Sequence, residues 1–421
     1  MKKLMSLFCV SLICLLCGCN DDMKVKETIT YTVNKPVLMS VDVFRSSVKV
    51  TTQPEEITQK GKICFYEGYL YISEPGKGIH IIDNRNPASP ASVGFIELIG
   101  NVDVAIRNNI LYADSYIDLV GFDISNPALP VLKSRLENVF PQSYPPIEEG
   151  YIDSELCNLA ATNGNIVVGW TQEEETHTLE YYKNEQVYND AMTNSSGGSS
   201  GGSTGVNGSM SRFGLYKDYL YVVLNDYMSI FNLAGDKPEK AVENMYIGGS
   251  VETIFSYKDC MFMGTPTGMI IYSVANPLKP EYQSMMWHVY GCDPVVVEND
   301  IAYVTVHSGN NCGQNFNELI ILNVKDVKNP QPIVSYTMTK PKGLGIDNGT
   351  LFLCDDGLKI YNAEDPQTLM ANRLAHYSGM EGYDVIPHDN VLMMIADDGI
   401  YQYDYSNLKE IKQLSKLAVK K

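Results

Sequence analysis

The stretch Gly78-Ile79-His80-Ile81-Ile82-Asp83-Asn84-Arg85-Asn86-Pro87 decides the fold of this chain. Its first five residues are mostly branched and apolar, which is typical of a buried strand, and the run is too short for a buried helix. Asp83 can then bond its own backbone and start a turn, and Pro87 blocks further strand pairing. The same order of apolar run, turn former and Asn-Pro recurs at residues 119–127 and 269–277.

A second apolar triplet precedes these strands and reveals the period of the repeat. It occurs at Leu70-Tyr71-Ile72, Leu111-Tyr112-Ala113, Ile166-Val167-Val168, Leu220-Tyr221-Val222, Met261-Phe262-Met263, Ala302-Tyr303-Val304, Leu351-Phe352-Leu353 and Leu392-Met393-Met394. The steps between these eight copies are 41, 55, 54, 41, 41, 49 and 41 residues. The residue seven places upstream of each triplet is also apolar, at Ile63, Val104, Leu159, Phe213, Ile254, Val295, Leu344 and Val385. Two independent positions therefore repeat together.

Four short strands in a unit of 41 residues, with no helical pattern between them, predict an all-β fold of the β-propeller type. The blades of a propeller bury their faces against their neighbours, which explains why one unit is repeated; a β-sandwich does not predict the repeat. We expect eight four-stranded blades. Seven blades are the alternative, if the degenerate third copy is absorbed into a neighbour.

The segments KGIHIIDNRNPASP, LVGFDISNPALP and NELIILNVKDVKNPQP resemble the LVIVD repeat of bacterial and archaeal cell-surface proteins. The resemblance extends over about residues 60–410. It is weaker in the third copy, which lacks the Asn-Pro close, and in the last copy, where Ser406-Asn407 has no Pro. The resemblance implies a cell-surface propeller. It implies no catalytic residues, because the family has no agreed activity.

The N-terminus has the composition of a secretory signal. Met1-Lys2-Lys3 is basic, residues 4–16 are apolar, and the run ends in Leu16-Cys17-Gly18-Cys19, which resembles a bacterial lipobox. We expect residues 1–18 to be a signal peptide, Cys19 to be lipidated, residues 19–60 to form a tether and N-terminal segment, and residues 61–421 to form the propeller. Asn20-Asp21-Asp22 resembles the export signal of surface lipoproteins in Bacteroidetes. A location at the cell surface is therefore predicted, with a periplasm-facing lipoprotein as the alternative.

The composition argues against a nucleic-acid-binding protein. The 421 residues include 32 basic and 50 acidic side chains, a net charge of −18 that opposes nucleic-acid binding.

The membrane is expected to be contacted through the lipid alone. A Gly/Ser-rich insertion at about residues 185–210 is a tolerated loop or, alternatively, a flap over one propeller face.

The cysteines indicate one disulfide. Cys292 begins the first strand of the sixth copy and Cys312 follows the second, so a hairpin would bring their side chains to one edge. We predict this bridge and expect Cys64, Cys157, Cys260 and Cys354 to be thiols. No Cys or His spacing indicates a metal site, and no cofactor is predicted.

Acidic residues are concentrated in the turns between second and third strands, which gather on one face of a propeller. They are the candidate binding face, together with one His: Glu74, Asp114, Asp118, Asp226, His307, Asp355, Asp356, Asp397 and Asp398. Ordinary turn chemistry is the alternative explanation for these carboxylates. Trp170 and Trp287 are expected to pack between blades, with stacking on a sugar ring as the alternative.

From these features we predict a non-catalytic module that binds a glycan or a protein. The alternatives are an enzyme that acts on polysaccharides at the channel mouth, and a structural envelope protein.

Overall fold

A computed structural model of the chain describes residues 24–59, 61–140, 143–147, 149–182, 213–224, 226–235, 237–249, 251–287, 294–307 and 317–420. Within these residues, 32 strands form eight sheets. The signal segment, Cys19, the Gly/Ser-rich insertion, Cys292 and Cys312 lie outside the described residues, so the predictions made for them stay predictions.

Seven sheets are antiparallel meanders of four consecutive strands, which we call blades 1 to 7. Blades 1 and 2 are the first two sequence copies, and blades 3 to 7 are copies four to eight. Blade 1 contains β3 (Ile63–Tyr66), β4 (Tyr69–Glu74), β5 (Gly78–Asp83) and β6 (Ala91–Glu97), with β2 (Lys49–Thr51) added outside β6. Blade 2 contains β7 (Val104–Arg107), β8 (Ile110–Ser115), β9 (Asp118–Asp123) and β10 (Val131–Leu136).

The remaining blades follow the same order, from the innermost strand to the outermost. Blade 3 contains β13 (Phe213–Tyr216), β14 (Tyr219–Leu224), β15 (Tyr227–Asn232) and β16 (Glu239–Tyr246). Blade 4 contains β17 (Thr253–Tyr257), β18 (Cys260–Thr265), β19 (Gly268–Ser273) and β20 (Glu281–Trp287). Blade 5 contains β21 (Val295–Glu298), β22 (Ile301–Val306), β23 (Glu318–Asn323) and β24 (Gln331–Thr337). Blade 6 contains β25 (Leu344–Asp347), β26 (Thr350–Cys354), β27 (Leu358–Asn362), a 3-10 helix (Pro366–Asn372) and β28 (Arg373–Tyr377). Blade 7 contains β29 (Gly382–His388), β30 (Val391–Ala396), β31 (Gly399–Asp404) and β32 (Lys412–Ala418).

The eighth sheet, which we call the side sheet, is built differently. Its strands are β1 (Lys24–Ser40), β11 (Tyr151–Ile152) and β12 (Asn165–Tyr182), in the order β11, β1, β12. Two helices accompany it, α1 (Val41–Ser46) and α2 (Ser154–Thr162). Among the described residues, no helix is long and apolar enough to cross a membrane.

Turn chemistry explains why each blade is a tight meander. In blade 1, Glu67 and Gly68 join β3 to β4 in a two-residue turn with φ values of 46° and 81°. Such turns need left-handed backbone and match the twist of paired strands, which favours Asn, Asp and Gly. The equivalent turn of blade 2 is Asn108-Asn109, with φ values of 50° and 60°. Between third and fourth strands, the Asp83 carboxylate accepts the Arg85 N–H at 3.1 Å, as the sequence pattern predicted.

The core lies between neighbouring blades. Tyr71 and Ile81 of blade 1 pack with Leu111 and Val120 of blade 2 in one buried cluster. Blade 2 then packs directly on blade 3, and β7 contacts β13, so the side sheet does not intervene in the ring. Because each blade has two apolar faces, the ring is stable only if the last blade also meets the first.

Within the described part of the chain, blades 7 and 1 close the ring without exchanging a strand. Ile72 of blade 1 packs with Ile395 and Ile400 of blade 7. The side-chain amides of Asn84 and Gln402 are both buried and bond each other twice, at 2.9 and 2.7 Å, across 318 residues of sequence.

The predicted all-β propeller of four-stranded blades is confirmed. The described residues form eight sheets, and seven of these sheets make up the ring. The third copy supplies a strand, as predicted, but β12 pairs with β1 instead of forming a meander. The eight sheets agree in number with the eight units expected from the sequence, and the seven blades of the ring agree with the alternative of seven.

We predict that Gln402→Met destabilises the protein by about 1–3 kcal/mol, because the buried amide of Asn84 loses its partner. The double variant with Asn84→Leu should lose less than the sum of the single changes. Urea unfolding measures both. Gln413→Met, an exposed change on β32, is the matched control; equal small effects for Gln402→Met and the control would contradict the closing role of the pair.

Candidate binding face

The turns between second and third strands lie on the same face as the links between blades, which we call the upper face. This follows from the meander, because the first strand starts where the second strand ends. Hydrogen bonds confirm the proximity: Asp114 Oδ1, near the end of β8, accepts the N–H groups of Val102 and Asp103 in the preceding link, at 2.8 and 2.9 Å. The predicted turn residues therefore do share a face.

Several of these carboxylates hold the links in place. Glu74 Oε1 accepts the N–H groups of Thr58 and Gln59 at 3.2 and 3.1 Å. Asp355 Oδ1 accepts those of Thr339 and Lys340 at 3.0 and 2.6 Å. Link segments have no strand partner, so their N–H groups need acceptors of this kind. Asp397 Oδ1 accepts a single N–H of this kind, that of Glu381, at 3.2 Å.

Two of the carboxylates form equivalent buried pairs in different blades. His80 lies opposite Ile72 and Lys359 lies opposite Leu353, which is the same position of the repeat. His80 Nε2 is 2.7 Å from Glu74 Oε2, and Lys359 Nζ is 2.6 Å from Asp355 Oδ2. All four side chains are buried. The sequence placed His80 in a strand but contained no local signal for its pairing with Glu74.

Asp118 attaches the side sheet to the ring. Its fully buried carboxylate accepts from Arg45 of α1 at 2.9 and 3.1 Å, from Arg135 of β10 at 2.9 Å, and from the N–H of Asn138 at 3.0 Å. Phe44 of α1 packs beside it in a cluster with Tyr116 and Ile117, which form the β8–β9 turn. The side sheet therefore rests on the upper face at blade 2.

The other predicted residues are dispersed. Asp356 is exposed at the left-handed position of a turn (φ 54°), and its carbonyl accepts from His376 at 2.7 Å. Asp398 is half-buried and bonds the Tyr401 hydroxyl at 2.9 Å and also Lys416. Asp226 is half-buried and His307 is buried.

Among the described residues, half of the predicted acidic binding face is therefore closed to solvent. Glu74, Asp114, Asp118 and Asp355 are at most 1% exposed, because cations and link N–H groups surround their oxygens. Within the described ranges, no three His, Cys, Asp or Glu side chains come together as a metal site requires. Ligand binding by the more exposed members, Asp226, Asp356, Asp397 and Asp398, stays a prediction.

The structure instead exposes aromatic side chains on the rim of blades 3 and 4. Tyr246 is 65% exposed and Trp287 is 72% exposed, and each is the last residue of its fourth strand. Trp287 was expected to be packed between blades, and this was wrong: it lies opposite Gly268, which offers no side chain to cover it. Trp170 is half-buried and donates its indole N–H to the Pro145 carbonyl at 2.9 Å. An aromatic residue at the end of a solvent-facing fourth strand is the sequence signal that could have located this surface.

The four described cysteines, Cys64, Cys157, Cys260 and Cys354, are free thiols, as expected. Burial raises the pKa of the Cys64 thiol to about 11, which favours its protonated form at neutral pH.

Comparisons with known proteins identify the repeat. The LVIVD repeat matches residues 61–96 and 101–137, which are blades 1 and 2. No curated protein matches the sequence. Among solved structures, the computationally designed Ika8 protein is similar at 7% identity and a TM-score of 0.47, over 86% of this chain and 90% of that chain. Kluyveromyces lactis Hsv2 is similar at 10% identity and a TM-score of 0.47, over 84% of this chain and 96% of that chain.

We predict that Asp355→Ala lowers the free energy of unfolding by about 3–5 kcal/mol, because Lys359 is left as a buried, unpaired charge. The double variant Asp355→Ala with Lys359→Met should regain part of this loss. Asp356→Asn, at the exposed neighbouring position, should change stability by less than about 0.5 kcal/mol. Urea unfolding distinguishes these cases; a loss below about 1 kcal/mol for Asp355→Ala would contradict the structural role.

The Glu74–His80 pair predicts acid sensitivity. Burial opposes the charge on Glu74, but hydrogen bonds from Lys77, Thr58 and His80 outweigh it and lower the pKa of Glu74 from 4.5 to about 2. Burial lowers the pKa of His80 from its ordinary value of 6.5, and Glu74 offsets this only in part. Both groups therefore bind protons more readily in the unfolded chain, so stability falls as the pH falls.

The contribution of His80 should be lost as the pH drops below 6.5, and that of Glu74, at most about 3 kcal/mol, as it drops from 4.5 towards 2. Urea unfolding at a series of pH values measures the slope. Glu74→Gln should be less stable at pH 7 and should show a shallower slope below pH 4.5. Parallel slopes for the two proteins would contradict this assignment.

Proposed function

We propose that this protein is a lipid-anchored, surface-exposed propeller that binds a glycan or a protein without catalysing a reaction. The observation that carries this proposal is the geometry of the side sheet. The side sheet contains a two-stranded ribbon, it is attached to the ring at blade 2, and it would connect the ring to the predicted lipid at Cys19.

The connection is a long two-stranded ribbon. β1 and β12 form a continuous antiparallel pair from Lys24↔Tyr182 to Ser40↔Asn165, interrupted by one β-bulge after Val37. At about 3.3 Å per residue, the 17 residues of β1 span about 55 Å. Where burial is described in β1, at residues 28–40, only Val33 and Asn34 are buried, and seven of the eight residues 171–178 of β12 are exposed. The part of the ribbon formed by residues 28–32 and 171–178 therefore lies in solvent.

The predicted lipid would be close to the tip of this ribbon. Cys19 precedes Lys24 by five residues, a reach of at most about 17 Å. At the other end, Arg45, Phe44 and Asp118 fix the ribbon to blade 2. An anchor in this position would hold the ring away from the membrane and leave most of its rim accessible, as a binding module requires.

The enzyme alternative gains no support from the described residues. A polysaccharide-cleaving site needs two carboxyl groups that converge on free space, about 5–10 Å apart. The buried carboxylates of the upper face are instead committed to Arg45, Lys359 and the link N–H groups.

Lipidation can be tested with two neighbouring cysteines. Cys19→Ala should abolish labelling with radioactive palmitate and release the protein from membranes, because no acyl chain remains. Cys17→Ala is the matched control and should be labelled and retained normally. Membrane retention of Cys19→Ala at the level of the control would contradict the predicted anchor.

Surface exposure is tested by protease treatment of intact cells. The lipidated protein should be degraded on intact cells, whereas a periplasmic marker should survive until the outer membrane is opened. Asp21→Ala with Asp22→Ala should keep the lipid but protect the protein, since the acidic export signal is removed. Protection of the unmodified protein would place it on the periplasmic side and contradict the surface assignment.

A further inference from the structure

The link between the third and fourth strands is longer in blade 6 than in the other blades. It occupies ten residues, 363–372, whereas the equivalent links have six or seven, such as residues 84–90 of blade 1. Asp365-Pro366 takes the place of Asn86-Pro87 and opens the same kind of turn, in which the Thr368 N–H donates to the Asp365 carbonyl at 3.2 Å. The extra residues continue this turn into the 3-10 helix. Blade 6 therefore departs from the repeat by a structured insertion.

The inserted helix is fixed against blade 5. Leu369 is fully buried in the apolar cluster between blades 5 and 6. The Tyr336 hydroxyl of blade 5 donates to the Pro366 carbonyl at 2.8 Å. At the start of the helix, the Asp365 carboxylate accepts the Gln367 N–H at 3.0 Å. A wall that is already held in this way loses little conformational entropy when a ligand binds.

A cavity of about 410 Å³ lies beside the insertion, on the face opposite the upper face. Small-molecule sites have volumes of about 300–1,000 Å³, so this cavity is large enough for a small ligand. It is lined by residues from the end of β27, the link, the end of the helix and the start of β28: Asn362, Glu364, Asp365, Asn372, Arg373 and Leu374.

The cavity contains charges of both signs that the protein does not pair. In the part of the chain that the structure describes, the Arg373 guanidinium and the Glu364 carboxylate form no ion pair or side-chain hydrogen bond, with each other or with another residue. Both residues are exposed. Asp365 differs, because its carboxylate accepts the Gln367 N–H and the Thr368 hydroxyl, each at 3.0 Å. Arg373 and Glu364 are therefore available to a ligand.

A guanidinium and a carboxylate that line one cavity without pairing fit a ligand that carries both opposite charges. Arginine binds a carboxylate through two parallel N–H···O bonds, and a carboxylate accepts charge-assisted hydrogen bonds from an ammonium group. A simple anion would be repelled by Glu364, and a simple cation would be repelled by Arg373. Leu374 is 39% exposed and adds an apolar surface.

We propose that this cavity binds a small zwitterion with a carboxylate and an ammonium group, as free amino acids and short peptides carry. The ligand carboxylate bonds Arg373, its ammonium group bonds Glu364, and an apolar side chain rests on Leu374. This inference goes beyond the proposed function and does not depend on the lipid anchor, because every residue that it uses belongs to blade 6.

The test is titration calorimetry with the full lipidated chain in detergent micelles. Leucine, phenylalanine and leucyl-leucine carry both charges, N-acetylleucine lacks the ammonium group, leucinamide lacks the carboxylate, and glucose is neutral. At least one of the three zwitterions should bind saturably. N-acetylleucine, leucinamide and glucose should bind at least several-fold more weakly, because each leaves one or both charges of the cavity without a partner.

Two variants assign the ligand groups. Arg373→Gln should weaken leucine binding about tenfold or more, and Glu364→Gln should weaken it several-fold. Arg373→Gln should leave leucinamide binding unchanged, and Glu364→Gln should leave N-acetylleucine binding unchanged, since those ligands lack the matching group. Lys328→Gln, an exposed basic position in the seven-residue link of blade 5, is the matched control and should bind leucine normally. Thermal unfolding should show that all variants are folded.

The outcomes separate this proposal from the proposed function. Saturable binding by none of the three zwitterions, or binding that Arg373→Gln and Glu364→Gln leave unchanged, would overturn the proposal. Glucose binding that both variants weaken would overturn the zwitterion as the ligand. Binding of leucyl-leucine alone would support the proposal and identify the ligand as a peptide. Loss of the anchor or of surface exposure would overturn the proposed function and leave these titrations unchanged.

Discussion

The structure depends on the packing of each blade between two neighbours. A blade is a single thin sheet with apolar side chains on both faces, such as Tyr71 and Ile72 on successive positions of β4, and a single sheet cannot bury both faces alone. A ring solves this problem only when its ends meet. In the residues that the structure describes, the first and last blades share no strand. Closure there depends on side chains, with Ile72 packed against Ile395 and Asn84 paired to Gln402.

The acidic composition of the chain has a partly structural origin. Links between blades leave the sheets, and their N–H groups would be unsatisfied without acceptors that reach across the turn. Glu74, Asp114 and Asp355 supply these acceptors in three blades, and Asp118 uses the same chemistry to hold the side sheet. Carboxylates that are committed in this way are poorly placed to bind a ligand. The upper face is thus strengthened for stability.

Two peripheral features distinguish this ring from a regular repeat. The third copy is drawn out into the ribbon of β1 and β12, which leads towards the predicted anchor, and blade 3 has the additional register shift beside Tyr246. Both are departures from an otherwise regular pattern. A repeated scaffold that satisfies its own core tolerates such departures at its edge, where few contacts constrain the chain. The regular ring and its irregular rim therefore differ in how tightly packing constrains the chain.

The sequence by itself determined the strands, the period and the turns. These features depend on residues within a few positions of one another. They are an apolar run, an Asp whose carboxylate accepts the N–H of the residue two places later, and a Pro that ends strand pairing. Only the tertiary structure decided which side chains are buried and where the third copy goes. Ile166-Val167-Val168 is a strand, as its composition indicates, but Ile166 and Val167 pair with Met39 and Leu38, more than a hundred residues away. Likewise Glu74 is buried and Trp287 exposed because of what packs, or fails to pack, against them. Local patterns carry no information about such distant neighbours, since burial is a property of the assembled ring.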